Sequence, residues 1–459
     1  MASHGSGTTG RALRRGALAL ASVLAVGALV ASGASADSTH AYRHGQVPRV
    51  GAAAPASQAS AGNAGRSRNL SFGGGLDGVG VTTGAPKVYL VFYGSQWGTQ
   101  AGSYPNFTYS GDSNGTAPDL EKFFTGLGTG GELWSGVMTQ YCEGVATGAT
   151  TCPSSSILHV GYPTGGALAG VWEDTSATPL TTTAHQLAAE ALAASAHFGN
   201  TSAAANRDAQ YFIVSPHGSN PDNYLNSNFC AWHDFTGDST LDGGGAVNSS
   251  YAVAFTNMPY VTDVGASCGE DFVNPAPSGT LDGVTIVGGH EYAETITDQF
   301  PAGGWLNSQG YETGDLCAWI SSGQGASQNI TLGTAGTFAV QSTWANDFQS
   351  GAGGCEVSHA IVTNGGGGGG GNTVSVTNPG NQSTRVNQRV TLQIHASDSA
   401  SSTLTYAATP LPSGLSVNAS TGVISGTPTK VGTTTVQVTV TDTTGASGNV
   451  SFSWTVTKH

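Results

Sequence analysis

The feature that most restricts what this chain can become is a run of seven consecutive glycines, Gly365 to Gly371, where no side chain can pack and no backbone shape is strongly preferred. Residues 364–372 therefore read as a flexible linker, and the 459 residues must fold as separate units on either side of it. Beyond the linker, residues 373–459 alternate apolar and polar side chains in "RVTLQI" (389–394), "TTTVQVTV" (433–440) and "VSFSWTV" (450–456), with turn residues between. A period of two over so short a length predicts one small β-sandwich.

The part before the linker is built differently. Arg11, Arg14 and Arg15 precede an apolar run from Gly16 to Val30, and Ala34-Ser35-Ala36 then offers the small residues a signal peptidase reads. Residues 1–36 are thus expected to be a secretory signal, because the run falls short of the ~20 residues of a spanning helix. The expected product is a secreted, extracellular protein with no membrane span in the mature chain. Residues 37–69, about half of them Ala, Ser and Gly, read as disordered chain or a pro-segment. The first core strand is "KVYLVFY" (87–93); a helix after Pro118 carries Leu120, Phe123 and Phe124 on one face, and another runs from about Thr183 to His197 before the strand at 210–214. Helices alternating with buried strands predict a mixed α/β domain over residues 70–363.

Six cysteines, Cys142, Cys152, Cys230, Cys268, Cys317 and Cys355, fit an exported chain with disulfide bonds. Nearest-neighbour pairing is the expectation. Their spacing does not suit a Cys-rich zinc site.

Between Leu70 and Thr363 only Lys87, Lys122 and Arg207 oppose fifteen Asp and ten Glu. This excess repels nucleic acid and anionic lipid, so neither is an expected partner. It also leaves most carboxylates without a cation, to be solvated, to bind metal or to take up protons. Repulsion raises carboxylate pKa values in the fold, so stability is expected to rise as pH falls.

The chemistry concentrates in "GGHEYAETITDQF" (288–300). On a helix beginning near Gly289, His290 and Glu294 lie one turn apart on one face, as two ligands of a metal would, and Glu291 sits on the flank as a general base. Glu312 and Asp315 follow in "YETGDLC" (311–317), beside a cysteine expected to be bridged. Zinc held by His290, Glu294 and Glu312, with Asp315 as alternative ligand or as partner of His290, is the expected centre. So anionic a set also admits calcium. Among other polar residues, His217 and His233 can line the cleft or supply a ligand, although a lone His near a strand end is more often structural. Asp234, Asp238 and Asp242 form a weaker candidate calcium loop, and Trp97, Trp172, Trp232, Trp305 and Trp319 can stack on sugars if exposed.

Two resemblances bear on these readings. The strand ending in Tyr93-Gly94, the His-Glu-x-x-Glu-x-x-Thr-Asp motif at 290–298, Trp305 and Glu312-Thr-Gly-Asp-Leu-Cys317 together resemble a group of secreted bacterial and fungal proteins and the plant phosphate-induced, Exordium-type proteins. That likeness implies an extracellular zincin-like domain. The chain departs from the His-Glu-x-x-His pattern of familiar zincins in having Glu294 as second ligand, which keeps ligation but makes the site more anionic. Residues 411–428, "LPSGLSVNASTGVISGTP", are similar to immunoglobulin-like, cadherin-related modules of bacterial extracellular enzymes, implying a spacer or adhesion role.

Two functions are compatible with all of this. The first is a secreted zinc metallopeptidase, a hydrolase acting on protein or peptide substrates through a metal-bound water, with the module contacting a cell wall or polysaccharide. The alternative is a non-catalytic extracellular protein that binds calcium, glycan or cell wall.

Overall fold

The computed structural model describes residues 40–52, 69–153, 158–177, 179–363, 374–377, 379–398, 403–442 and 447–458. The expected signal at 1–36 and the glycine linker lie outside the described residues.

The α/β domain is organised by one six-stranded sheet: β1 (His44–Pro48), β2 (Lys87–Tyr93), β3 (Leu168–Asp174), β4 (Ala209–Val214), β5 (Phe229–Phe235) and β6 (Ala254–Met258). Its spatial order is β1-β5-β6-β4-β2-β3. The β6-β4-β2-β3 portion is parallel, while β5 runs antiparallel to β6 and β1 antiparallel to β5. Every residue of β4 is buried, as expected of a strand covered on both faces, and its sequence is accordingly a nearly continuous apolar run.

Three helices pack on this sheet. In α1 (Thr116–Gly126), Leu120, Phe123 and Phe124 are buried as expected. Helix α2 (Ala184–His197) starts at a reciprocal cap: the Gln186 N–H donates to Thr183 Oγ1 at 3.3 Å, and the Thr183 N–H donates to Gln186 Oε1 at 2.9 Å. Helix α3 (Asp282–Thr297) is buried at every position, which places it inside the domain rather than upon it.

The start of α3 corrects the sequence reading. The helix begins seven residues before Gly289, and Gly288 and Gly289 lie within it. They are there for contact. A Cβ on Gly288 would come 3.2 Å from Leu120, and one on Gly289 3.3 Å from both Phe123 and Trp134, so their bareness lets α3 approach its neighbours closely. Thr285 Oγ1 donates to the Ala339 carbonyl at 2.6 Å, tying the helix to a hairpin of β7 (Gln328–Leu332) and β8 (Gly336–Val340).

A second correction concerns the segment read as disordered. Residues 40–52 are ordered, and β1 within them extends the sheet.

Cys142 bonds Cys152, Cys230 bonds Cys268 and Cys317 bonds Cys355, the nearest-neighbour pairing expected. The third bridge joins the 315–317 turn to β10 (Gly354–Glu356), which pairs with β9 (Thr343–Ala345).

The C-terminal unit is all β. Its strands are β11 (Val374–Val376), β12 (Gln382–Arg385), β13 (Val390–Gln393), β14 (Ala396–Asp398), β15 (Leu404–Thr409), β16 (Leu415–Val417), β17 (Val423–Gly426), β18 (Gly432–Asp442) and β19 (Ser447–Thr457). One sheet has the order β12-β19-β18-β15 and another β13-β17-β16. Val436, Val438 and Val440 of β18 meet Phe452, Trp454 and Val456 of β19 and Ile424 of β17 in a separate apolar core. The period of two read from the sequence is the alternation that aims these side chains inward.

Candidate metal centre

Helix α3, strand β5 and the 312–315 turn bring five polar side chains together below the sheet edge. His290 Nε2 lies 3.0 Å from Glu294 Oε2 and 3.8 Å from Asp315 Oδ1. His233 Nε2, from β5, lies 3.8 Å from Glu294 Oε2 and 3.4 Å from Glu312 Oε2. Glu294 is thus shared by two groups of three possible ligands, His233-Glu294-Glu312 and His290-Glu294-Asp315, all buried.

The surroundings fix which atom of each residue faces the cluster. Gln341 Nε2 donates to the carbonyls of Gly314 and Ser342 at 2.9 and 3.1 Å, so its Oε1 is the atom facing His290 Nδ1 at 3.0 Å. An amide oxygen can only accept, hence Nδ1 of His290 carries a hydrogen, and in the neutral ring Nε2 is the nitrogen that presents a lone pair. Glu294 Oε1 accepts the N–H groups of Gly314 and Asp315 at 2.9 and 2.8 Å, leaving Oε2 toward the cluster. Gly314 fits because it lacks a side chain: a Cβ there would stand 2.8 Å from the His290 ring.

These arrangements leave His233 Nε2, His290 Nε2, Glu294 Oε2 and Glu312 Oε2 buried without a hydrogen-bond partner. The 3.0 Å approach of His290 to Glu294 satisfies an ion-pair distance but not the geometry of a hydrogen bond, so it leaves both atoms available. Four unpaired donors converging in the interior carry a desolvation cost that a cation would offset. The residues present therefore fit a metal.

Electrostatics agree. Burial raises the Glu312 carboxyl well above its usual range, and Asp298, Glu294 and Asp315 add to it. Burial, then Glu294, lifts Asp315 to about 8. For His290, burial works against the charged form, but Glu294 and Asp315 prevail and raise it to about 9. His233 goes the other way, well below its usual value, through burial and the nearby His44 and His290. Without a cation, this cluster holds protons.

Glu291 has both carboxylate oxygens buried and unpaired, and burial followed by Glu294 and Asp315 pushes its pKa well up. His290, Glu294 and Asp315 fall in one group of possible ligands and His233, Glu294 and Glu312 in the other, so Glu312 groups with His233 rather than with His290. His217 is elsewhere, exposed and 2.5 Å from Asp263. Asp234 and Asp238 group with His44, without Asp242. Trp97, Trp232 and Trp305 are 1%, 0% and 1% exposed, which removes them as sugar-stacking residues. Gln341 is the residue sequence reasoning missed altogether, since nothing near it in the chain marks it as a histidine's partner.

Open cavities lie away from this cluster. One of about 620 Å³ is bordered by Pro105, Lys122 and Gly333, and another of about 450 Å³ by Tyr141 and Trp305; no cluster residue lines either.

The family match concerns the other unit. Residues 372–457 match the family described as "Putative Ig domain", so the C-terminal unit is immunoglobulin-like in sequence as well as in its strands. The "Serine-rich adhesin for platelets" of Staphylococcus aureus strain USA300 is 35% identical over 86 residues, which is 18% of this chain and 4% of the adhesin. That of strain MRSA252 is 35% identical over 86 residues, 6% of its length. The chain thus spans a small fraction of these relatives. Among solved structures, titin domain M7 is 12% identical with a TM-score of 0.16, covering 19% of this chain and 95% of the other. Drosophila N-cadherin EC1-3 is 11% identical with a TM-score of 0.17, covering 28% and 39%. Among the described residues, no helix is long and apolar enough to cross a membrane.

Proposed function

We propose that this is an extracellular surface-binding protein in which the immunoglobulin-like domain contacts a cell surface or wall polymer and the α/β domain holds a metal ion. The observation that carries the surface role is the immunoglobulin-like match of residues 372–457, supported by the similarity to a protein named as an adhesin. The metal role rests on the four buried, unpaired donor atoms of His233, His290, Glu294 and Glu312. Two imidazole nitrogens among the donors favour zinc, whereas calcium takes oxygen ligands. Asp315 serves as a further ligand or as a charge partner for His290.

A second reading, hydrolysis of peptide bonds, is favoured by one observation: Glu291, next to the cluster in sequence, has both oxygens unpaired and a raised pKa. When bound, zinc would supply Lewis acidity at the cluster. Glu291 would take a proton from the attacking water and return it to the leaving amine.

Elemental analysis of the secreted full chain tests the metal role. Near-stoichiometric zinc is expected, lost in His290→Ala and in His233→Ala; no metal in the wild type would sink the role, and calcium would overturn the choice of zinc. Retention on cell-wall polymer should disappear when 373–459 is deleted, and retention without the module would refute the surface role. Casein cleavage that is sensitive to chelator and lost in Glu291→Gln, with zinc kept, would establish the hydrolase. If the zinc-loaded wild type cleaves nothing, the surface-binding reading stands alone.

A further inference from the structure

Strand β1 lies across the metal centre, and its contacts run along its whole length. At one end Tyr42 Oη donates to Asp222 Oδ1 at 2.9 Å, and Arg43 Nε donates to Asp222 Oδ2 at 2.7 Å, both buried. In the middle, His44 pairs with His233, Val47 with Ala231 and Pro48 with Phe229, antiparallel along β5. At the other end Trp319 Nε1 donates to the Pro48 carbonyl at 2.5 Å, the Arg49 N–H to Asn228 at 2.9 Å, and the Val50 N–H to Ser267 at 2.8 Å.

The register is irregular between His44 and Val47 and again between Val47 and Pro48, and Gly45 falls within the first of these breaks. Its φ of +50° lies in the left-handed region. A Cβ placed on it would be 2.1 Å from Glu294 Oε2 and 2.4 Å from His233 Nε2. Bare main chain therefore caps two of the unpaired donor atoms.

The tie between this strand and the domain is slight in sequence. Sixteen residues, 53–68, separate Ala52 from Asn69, and none of them is Leu, Ile, Val, Met, Phe, Tyr or Trp. The rest of the core resumes at Leu70, which is fully buried and whose N–H donates to Asn346 Oδ1 at 2.9 Å. Without β1, five strands of the sheet remain, and β5 becomes an edge whose N–H and C=O groups can pair with another strand.

We propose that the β5 edge and the centre beneath it form a groove for an extended polypeptide, held shut in the intact chain by the chain's own residues 40–52. The groove takes an antiparallel strand with glycine over His233 and Glu294, as β1 itself does. The groove stands without a metal, whereas its opening onto a metal rests on the reading above.

The test compares the intact full chain with Gly45→Val. The added side chain cannot fit against Glu294 and His233, so the strand should lift away. Hydrogen exchange in residues 40–52 is expected to quicken about tenfold or more while α3 stays protected. A labelled synthetic peptide of residues 40–52 should bind the variant and not the wild type, and zinc should enter the metal-free variant about tenfold faster. Unchanged exchange, or a folded variant with a freed strand that fails to bind the peptide, overturns the proposal.

Should Gly45→Val not fold, a specific protease site inserted between Ala52 and Asn69 and cut after folding replaces it. Release of the strand below the urea midpoint of the domain, with rebinding of the peptide, supports the groove; retention up to global unfolding makes β1 a permanent structural edge. Peptide binding without zinc uptake by either protein leaves the groove intact and defeats the metal reading alone.

Discussion

The two units of this chain build their interiors on opposite terms. In the immunoglobulin-like domain the core is Val374, Val390, Ile394, Ile424, three valines of β18, and Phe452, Trp454 and Val456, with Asp442 the buried charged residue recorded among its described positions. The α/β domain buries His233, His290, Glu291, Glu294, Glu312 and Asp315 side by side. Apolar burial stabilises a fold regardless of pH or ions, whereas a buried acid-rich cluster stabilises it only when protons or a cation neutralise it. One unit is set by its shape, the other by its solution conditions.

The largest effect that would sharpen this contrast comes from Trp454→Ala. It should cost the module about 3–5 kcal/mol and unfold it first, with the melting of the α/β domain unchanged in calorimetry. A joint shift of both transitions would break the comparison. Next, if the proposed metal is bound, stripping it should lower only the α/β transition, by about 2.7 kcal/mol relative to metal at a hundredfold excess over its dissociation constant.

In chelator, pH should then act on the α/β unit. Burial chiefly raises Asp119 to about 7 and Glu121 and Glu190 to about 8. Acids with raised folded pKa values stabilise fully below their unfolded values near 4 and lose that contribution as pH rises through 7 to 8. The metal-free melt should therefore be higher in mild acid than in mild alkali, and the reverse order would refute the reading. The smallest effect belongs to Thr183→Ala, which removes the cap of α2 and should cost about 1 kcal/mol in urea titrations.

Local pattern carried much of this architecture. The cores of α1 and β2 and the alternation in β18 and β19 follow from residues close together in sequence, whereas the disulfide partners, 10, 38 and 38 residues apart, match the simplest of fifteen pairings. What escaped was set by distant partners. "HGQVP" has no strand signature of its own, and β1 exists because β5 offers an edge. Gly288 and Gly289 looked like a helix start because the helices that demand close approach are far away in the chain. His233 was one lone histidine among several candidates, and its role depends on α3 lying below β5. No local pattern distinguishes Gln341 from a surface glutamine.

The complete burial of α3 has a kinetic side. A ligand on an exposed helix leaves at a rate set by its own bonds, but an ion held, as proposed, between His233 and His290 would leave only when the protein opens. The rate of stripping should therefore become independent of chelator concentration once chelator is in excess. Residence time, rather than affinity, would be what this interior controls.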